Sequence, residues 1–473
     1  MWILKYRYFF ASLLLATIFI FGLLKGPVVP DQIQSKNCAR NVNLPLNFGL
    51  TLNCDSGIYL RLASNLNLLF ENSRIVNGRL LTPGNVEQST PGSSIFVWLI
   101  SKPINLLWGM SSSLQDKIIP DIRQSLNQVY DQLNLEQTVD DSLNNFNQLI
   151  PTYVAYILYN IFIIILCFIL YNQTLRINNI NIDSSLAVSF LIGMIILIND
   201  VNKQFFFSPG PQIFRILCPI FTIYFASKII KEANHYKNFL LGSILSGFLM
   251  LFYYIFFVCF ITLIFSFLLK LNMNRNLFIN KLIFSKILIS LVYFILPSMI
   301  WFIFCLFFEN SLVVADMTHD GFGFFILMEK IKNSGLIHTL IYFSDSILRT
   351  LHHSIIHSWI IVFLLFVGLI IREFKLDDYQ RTLLKISIFF SIFSILFFAF
   401  YSPVTSRMVY SGFLVFIPFI GELYKEIKNK KKLNFLLYPA MFSIFFIYTF
   451  KTVNKTEPYG WYDEKGKYFF IRE

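Results

Sequence analysis

The sequence predicts an all-α integral membrane protein of about eleven transmembrane helices, with a large first extracytoplasmic loop that contains amphipathic juxtamembrane helices. Three observations predict it. Of the 473 residues, 56% are apolar and only 14% are charged, against about a quarter charged in soluble domains. Beyond residue 150 the chain is a series of long apolar runs. Its basic residues gather in the short connectors between those runs, as they do in cytoplasmic loops. The formal net charge of +12 therefore reads as topology. No basic patch interleaved with aromatic residues argues for a nucleic-acid partner.

Lys5 and Arg7 precede the apolar run 8–24. Its length, and the absence of a small-residue cleavage pattern before Pro27, favour a retained helix over a signal peptide. The basic flank places the N-terminus in the cytoplasm. Residues 27–150 form the largest polar region, punctuated by Thr82-Pro83-Gly84 and Pro91-Gly92. Within it the run 94–110 has Lys102-Pro103 at its centre, which suits an interfacial helix better than a span. Ile122, Leu126, Val129 and Leu133 recur at helical spacing, as do Val139, Leu143, Phe146 and Ile150. They read as amphipathic helices on the membrane or against the loop.

Further apolar runs lie at 151–171, 185–199, 212–230, 239–269, 287–308, 356–371, 385–400, 408–424 and 434–450. The run 239–269 is too long for one comfortable span and reads as a hairpin of two short helices. With that hairpin the basic connectors 228–238, 270–286, 372–384 and 425–433 all fall in the cytoplasm. A rival frame makes 94–110 a span and 239–269 a single helix, at the cost of one basic connector outside. The favoured frame divides the chain into an N-terminal transmembrane helix (1–26), an extracytoplasmic loop (27–150), a multi-pass domain (151–450) and an extracytoplasmic tail (451–473) in an inner (plasma) membrane. The tail's Tyr459, Trp461 and Tyr462 suit headgroup depth.

Cys167, Cys218, Cys259 and Cys305 lie inside apolar runs, where cysteine behaves as a small buried hydrophobe. Cys38 and Cys54 share the first polar segment and can pair if it faces an oxidising compartment. Asp316-Met317-Thr318-His319-Asp320 and the pair His353 and His357 offer metal-type side chains. The first lacks a partner at ligand spacing, and the second lacks the intervening Glu of a zinc site. No cofactor is called for, and a divalent metal stays open.

The outer face of this frame collects Asp55, Tyr59, Asp200, Lys203 and Arg407. A carboxylate near an interface can act as a general base, and Arg or Lys beside it can hold a phosphate by charge-assisted hydrogen bonds. Asp55-Ser56-Gly57-Ile58-Tyr59, shortly after the first apolar run, resembles the acidic Asp-x-x-x-Tyr motif of GT-C-type integral membrane glycosyltransferases. That superfamily includes protein mannosyltransferases and aminoarabinose and arabinofuranosyl transferases. The amphipathic helices of the first loop, the number of spans and the short pair in 239–269 are similar to it as well. Asn199-Asp200-Val201-Asn202-Lys203-Gln204 resembles segments of related bacterial multi-pass proteins. Ser56 stands where many such enzymes carry a second acid, which argues against a metal-dependent version.

The resemblance implies roles. Asp55 would deprotonate an acceptor hydroxyl, which attacks the anomeric carbon of a polyprenyl-phosphate sugar with inversion. Arg407, with Lys203 or Arg61 as rivals, would hold the phosphate that leaves. Tyr59 would shape the pocket, and Asp200 would contribute to substrate binding. The implied partners are a lipid-linked sugar donor and membrane lipid. Read from the residues alone, Asp55 is equally well placed to cap the helix that follows it, and both roles stay open. A transporter or flippase, a polysaccharide polymerase or ligase, and a non-catalytic scaffold are the competing classes. The near absence of charge in 287–308, 385–400 and 434–450 weighs against an ion-coupled carrier. The single Arg in 309–355 weighs against a polymerase.

Overall fold

The computed structural model describes residues 56–69, 90–117, 139–180, 209–273, 281–309, 323–358, 376–401 and 410–416, with short pieces at 75–76, 79–80, 119–120, 123, 361–362, 365 and 418–423. Among these residues the chain is helical, apart from a two-residue antiparallel pairing of Ile75–Val76 with Arg79–Leu80. The helices are α1 (Ser56–Ser64), α2 (Gly92–Gly109), α3 (Val139–Ile177), α4 (Phe214–Lys231), α5 (His235–Met250), α6 (Phe256–Met273), α7 (Lys281–Glu309), α8 (Gly323–His357) and α9 (Asp378–Tyr401). Five stretches are long and apolar enough to cross a membrane: Leu149–Ile177, Pro211–Lys231, Phe256–Met273, Leu282–Phe304 and Asp378–Ala399. α2 is not among them.

The long run 239–269 is two helices, α5 and α6, joined by a turn at 251–255. The backbone N–H groups of Leu251, Phe252 and Tyr253 bond back to Phe248 and Leu249 and close the end of α5. The single long helix of the rival frame is therefore absent. Residues 323–357 differ from expectation in the opposite sense: most of the stretch expected to be an outer loop, 309–355, is helix α8. Its charged and polar side chains dilute the hydropathy that would otherwise mark it. Gly335, at φ 80°, breaks the helical path within α8, a backbone conformation that glycine adopts without steric penalty.

The chain forms two compact units. The first comprises Met1–Ile165, Leu191–Ile213 and Met441–Gly460; its described parts include α1, α2, α3 up to Ile165, and residues 209–213. Here α1 packs on α2. From α3, Tyr156 and Tyr159 reach α1 and α2 respectively. α3 runs unbroken through Pro151, so its polar first turns and its apolar span are one rod. The second half of α2 leaves Leu106 and Leu107 exposed, as is Met110 just after it.

The second unit comprises Leu166–Phe190, Phe214–Ala440 and Trp461–Glu473. α4 is its axis: 89% of its apolar window is buried, against 11% for α7. α7 is therefore the helix that a bilayer would solvate. Phenylalanine fills the interior. Phe214 packs on Phe252 at 5.2 Å, Phe239 on Phe267 at 4.7 Å, and Phe260 lies parallel to Phe294 at 4.1 Å between ring centres. Offset and edge-on ring contacts add directional attraction to the area they bury.

The helix ends carry local sequence signals. Asp377 accepts the Gln380 N–H at 2.7 Å while Gln380 Oε1 accepts the Asp377 N–H at 3.3 Å, a reciprocal N-terminal box that starts α9. α3 ends with Asn179 at φ 59°, Ile180 N–H bonded to Leu175 O and Asn179 N–H to Arg176 O. That double bond is the common left-handed helix stop. Two lysines also reach helix ends: Lys231 Nζ donates to Ile177 O of α3 and Lys270 Nζ to Ile230 O of α4. A cation at a helix C-terminus also meets the negative end of the helix dipole.

α5 packs tightly because its inner face is small. Gly242, Ser243, Ser246 and Gly247 are buried, and a Cβ at Gly247 would lie 2.1 Å from the Phe294 carbonyl oxygen of α7. Small residues at crossings are how helices approach closely in lipid. Gly247→Val should separate α5 from α7 and cost on the order of 1–3 kcal/mol, read as a lower melting temperature of the purified protein. An unchanged melting temperature would mean that this crossing is not close.

Candidate functional site

The described residues contain two polar sites, one in each unit. The first is built on α3. Tyr153, Tyr156, Tyr159 and Asn160 are buried and recur at the three- and four-residue spacing that lines one face of a helix. Tyr159 OH lies 3.0 Å from Ser93 Oγ at the start of α2, and its ring is 5.6 Å from that of Phe96. Tyr156 stands edge-on to Tyr159 at 6.3 Å and donates to the Tyr59 carbonyl of α1 at 3.5 Å. Beside Tyr59 lies the turn at Gly210. A Cβ there would come within 3.1 Å of the Tyr59 ring and 2.0 Å of Gln212 Oε1. With φ at +150°, this position needs glycine twice over, for conformation and for space. Tyr156 and Tyr159 of α3 thus link the Tyr59 carbonyl of α1 and the Ser93 hydroxyl of α2 within this unit.

Three oxygens in this unit, those of the Ser94, Tyr153 and Gln212 side chains, are buried and make no hydrogen bond in the structure. Their residues are 0%, 2% and 5% exposed. An unpaired buried polar atom of this kind costs about 1–3 kcal/mol.

The second site is Arg215, the second residue of α4, which is 2% exposed. Its Nε donates to Tyr253 OH at 2.6 Å, and its guanidinium lies 5.1 Å from the Tyr253 ring centre and 6.0 Å from that of Phe398. A cation between two aromatic faces keeps part of the stabilisation it loses with water. Asp345 is also fully buried in this unit. Its neighbour Ser346 donates to Ala399 O at 2.9 Å, which ties α8 to α9. Sequence reasoning passed over Arg215 because it sits inside an apolar run. That position is itself the signal, since an ionisable residue within a membrane helix marks function by default.

Of the residues expected at the site, Tyr59 is described, and it is buried at the centre of the first nest. Asp55, Asp200, Lys203 and Arg407 lie outside the described residues, as do Cys38, Cys54 and the 316–320 cluster. α1 begins at Ser56, the residue after Asp55. Among the described residues no three His, Cys, Asp or Glu side chains come together as a metal cluster would.

Fold and hydropathy thus define a helical membrane protein with a buried neutral polar nest. A scan against protein-family models finds no match, and searches of curated proteins and of solved structures find none either.

The Arg215 site makes a direct prediction. Tyr253→Phe removes the acceptor of the Arg215 Nε proton and should destabilise the protein by about 1.5–3 kcal/mol, the range for hydrogen bonds to charged groups. Thermal melting of the variant beside the parent checks it. Equal stability would show that this contact contributes nothing net.

Proposed function

We propose that the protein is a membrane glycosyltransferase that moves a sugar from a polyprenyl-phosphate donor to an acceptor hydroxyl at the extracytoplasmic face of an inner membrane. One observation supports it most. Tyr59, four residues past Asp55 in the sequence, is buried and its carbonyl accepts the Tyr156 hydroxyl, so the acidic motif leads in sequence into a buried, tyrosine-lined part of α1.

In this reading the Asp55 carboxylate takes the acceptor's proton. The acceptor oxygen forms a bond to the anomeric carbon, and the carbon–oxygen bond to phosphate breaks. Polyprenyl phosphate leaves with the bonding electrons, and the configuration inverts. Arg407, with Lys203 or Arg61 as rivals, stabilises the charge that develops on the leaving phosphate, and Asp200 helps to hold the substrate. The proposal includes about eleven spans and a cytoplasmic N-terminus. The lysines that close helix ends agree with that orientation. Lys228, Lys231 and Lys270 lie in the last turns of α4 and α6, and Lys286 of the α7 start lies over the ring of Tyr236 in the first turn of α5. Together they make one basic end, which belongs in the cytoplasm. The buried Arg215 and Asp345 support a second reading, a carrier or flippase of charged lipid-linked substrates.

Asp55→Asn separates the two roles open to Asp55, because asparagine caps a helix as well as aspartate but is no base. Protein reconstituted with a polyprenyl-phosphate sugar should lose transfer by roughly 10²-fold or more while the yield of folded protein stays the same. Full transfer by the variant would remove Asp55 from the chemistry.

A further inference from the structure

We propose that the starts of α5 and α7 bind an anionic phospholipid, with its headgroup phosphate on Lys237 and Lys286 and an acyl chain along the open face of α7. The proposal rests on the membrane class of the chain and not on the transferase reading.

Contacts among α4 to α7 gather the lysines of this unit at one end. Lys286 Nζ lies 4.9 Å from the ring centre of Tyr236, in the first turn of α5. The Tyr236 ring is 6.1 Å from that of Phe267 in α6. Lys270, in the last turn of α6, donates to Ile230 O of α4, and Lys228 and Lys231 lie in the last turn of α4. Acidic groups divide this end into two sides. Lys228 pairs with Glu232 at 3.9 Å. Lys231 lies over the ring of Tyr379, the neighbour of Asp378 at the start of α9. On the other side stand Lys286 and Lys237, which is exposed in the first turn of α5. No acidic residue lies within four positions of either in the sequence, so the helix turns that carry them offer positive charge alone. A lysine laid on an aromatic face keeps N–H groups for a phosphate oxygen.

The face of α7 selects a lipid over a soluble anion. Only 11% of the apolar window of α7 is buried. Leu282, Ile289, Tyr293, Leu296 and Ile300 are exposed. With Lys286 they recur every three or four residues, the spacing of one helix face. From Lys286 to Ile300 this strip runs about 21 Å, more than the roughly 15 Å of hydrocarbon in one leaflet. An acyl chain therefore has room below a headgroup held at Lys286. Tyr236 beside that lysine suits headgroup depth, and basic pockets between membrane helices are where anionic headgroups are held. A second copy of the chain packed on the same strip, in the same membrane orientation, would set Lys286 against its own counterpart, which like charges disfavour.

The test melts the full chain in detergent with increasing phosphatidylglycerol, with phosphatidylcholine of the same acyl chains, or with glycerol 3-phosphate. Phosphatidylglycerol should raise the melting temperature saturably. Phosphatidylcholine, whose phosphate carries its own cation, should bind weaker by roughly fivefold or more, and glycerol 3-phosphate should give no shift. Lys237→Gln and Lys286→Gln should each weaken phosphatidylglycerol by about fivefold. Lys385→Gln, an exposed lysine of α9, should respond as the parent does. An equal response to the two lipids overturns the proposal, and so does a shift with glycerol 3-phosphate. An equal loss in Lys385→Gln also overturns it, because diffuse surface charge then explains the binding. If Lys286→Gln fails to fold, Lys237→Gln decides, and an unchanged response in that variant sinks the site. A stable dimer with no lipid shift assigns the strip to a second copy and overturns the proposal as well.

Discussion

A polar group buried away from water must find a partner, and in a chain with this little charge that constraint shapes almost everything visible. The second unit meets it locally at many positions. Thr222, Ser243, Ser246, Thr262 and Ser266 bond to the carbonyl one turn back, and two lysines reach across to the open carbonyls at the ends of α3 and α4, while the hydroxyls of Ser227, Ser290, Ser391 and Ser394 make no hydrogen bond. Asp377 and Gln380 satisfy each other's backbone at the start of α9. Phenylalanine rings fill much of what remains. Arg215 is buried among them, bonded to the Tyr253 hydroxyl and laid against aromatic faces.

The first unit meets the same constraint across helices. Tyr156 and Tyr159 link α3 to α1 and α2 through their hydroxyls, and, as in the second unit, some buried oxygens, those of Ser94, Tyr153 and Gln212, make no hydrogen bond. Interhelical hydrogen bonds in membranes commonly contribute about 0.6 kcal/mol each, less than an unpaired buried oxygen costs. Stability alone would favour phenylalanine and alanine at these places.

The membrane class was legible from composition, and the α5–α6 hairpin from the length of 239–269 set against the basic connectors on either side. α8 was not legible, because His338, Asp345, Arg349 and His352 break the apolar run that marks a buried helix, and burial of Asp345 depends on what packs around it. At the site, Tyr59 was found through a short motif, whereas the tyrosines of α3 were missed. Inside an apolar run a tyrosine scores as hydrophobic, and only its spacing of three or four residues, set against facing serines, turns it into a polar wall. Arg215 was hidden in the same way, by being counted among its apolar neighbours. Asp55, Asp200, Lys203 and Arg407 rest on the motif and the topology alone.

Two features of the chain therefore bear on the same chemistry: an acidic residue directly before α1, and a neutral nest in which α1 is held. A transferase acting on lipid-linked sugars needs both a base and a desolvated place for hydroxyls, whereas a carrier needs no base. Glycan and glycolipid profiles of cells lacking the protein, complemented with the parent chain or with Asp55→Asn, test this most directly. The account predicts that one sugar-bearing product disappears in the deletion, returns with the parent and stays absent with the variant, while its polyprenyl-phosphate sugar donor accumulates. Restoration of that product by the variant, or profiles that are identical with and without the protein, would contradict it.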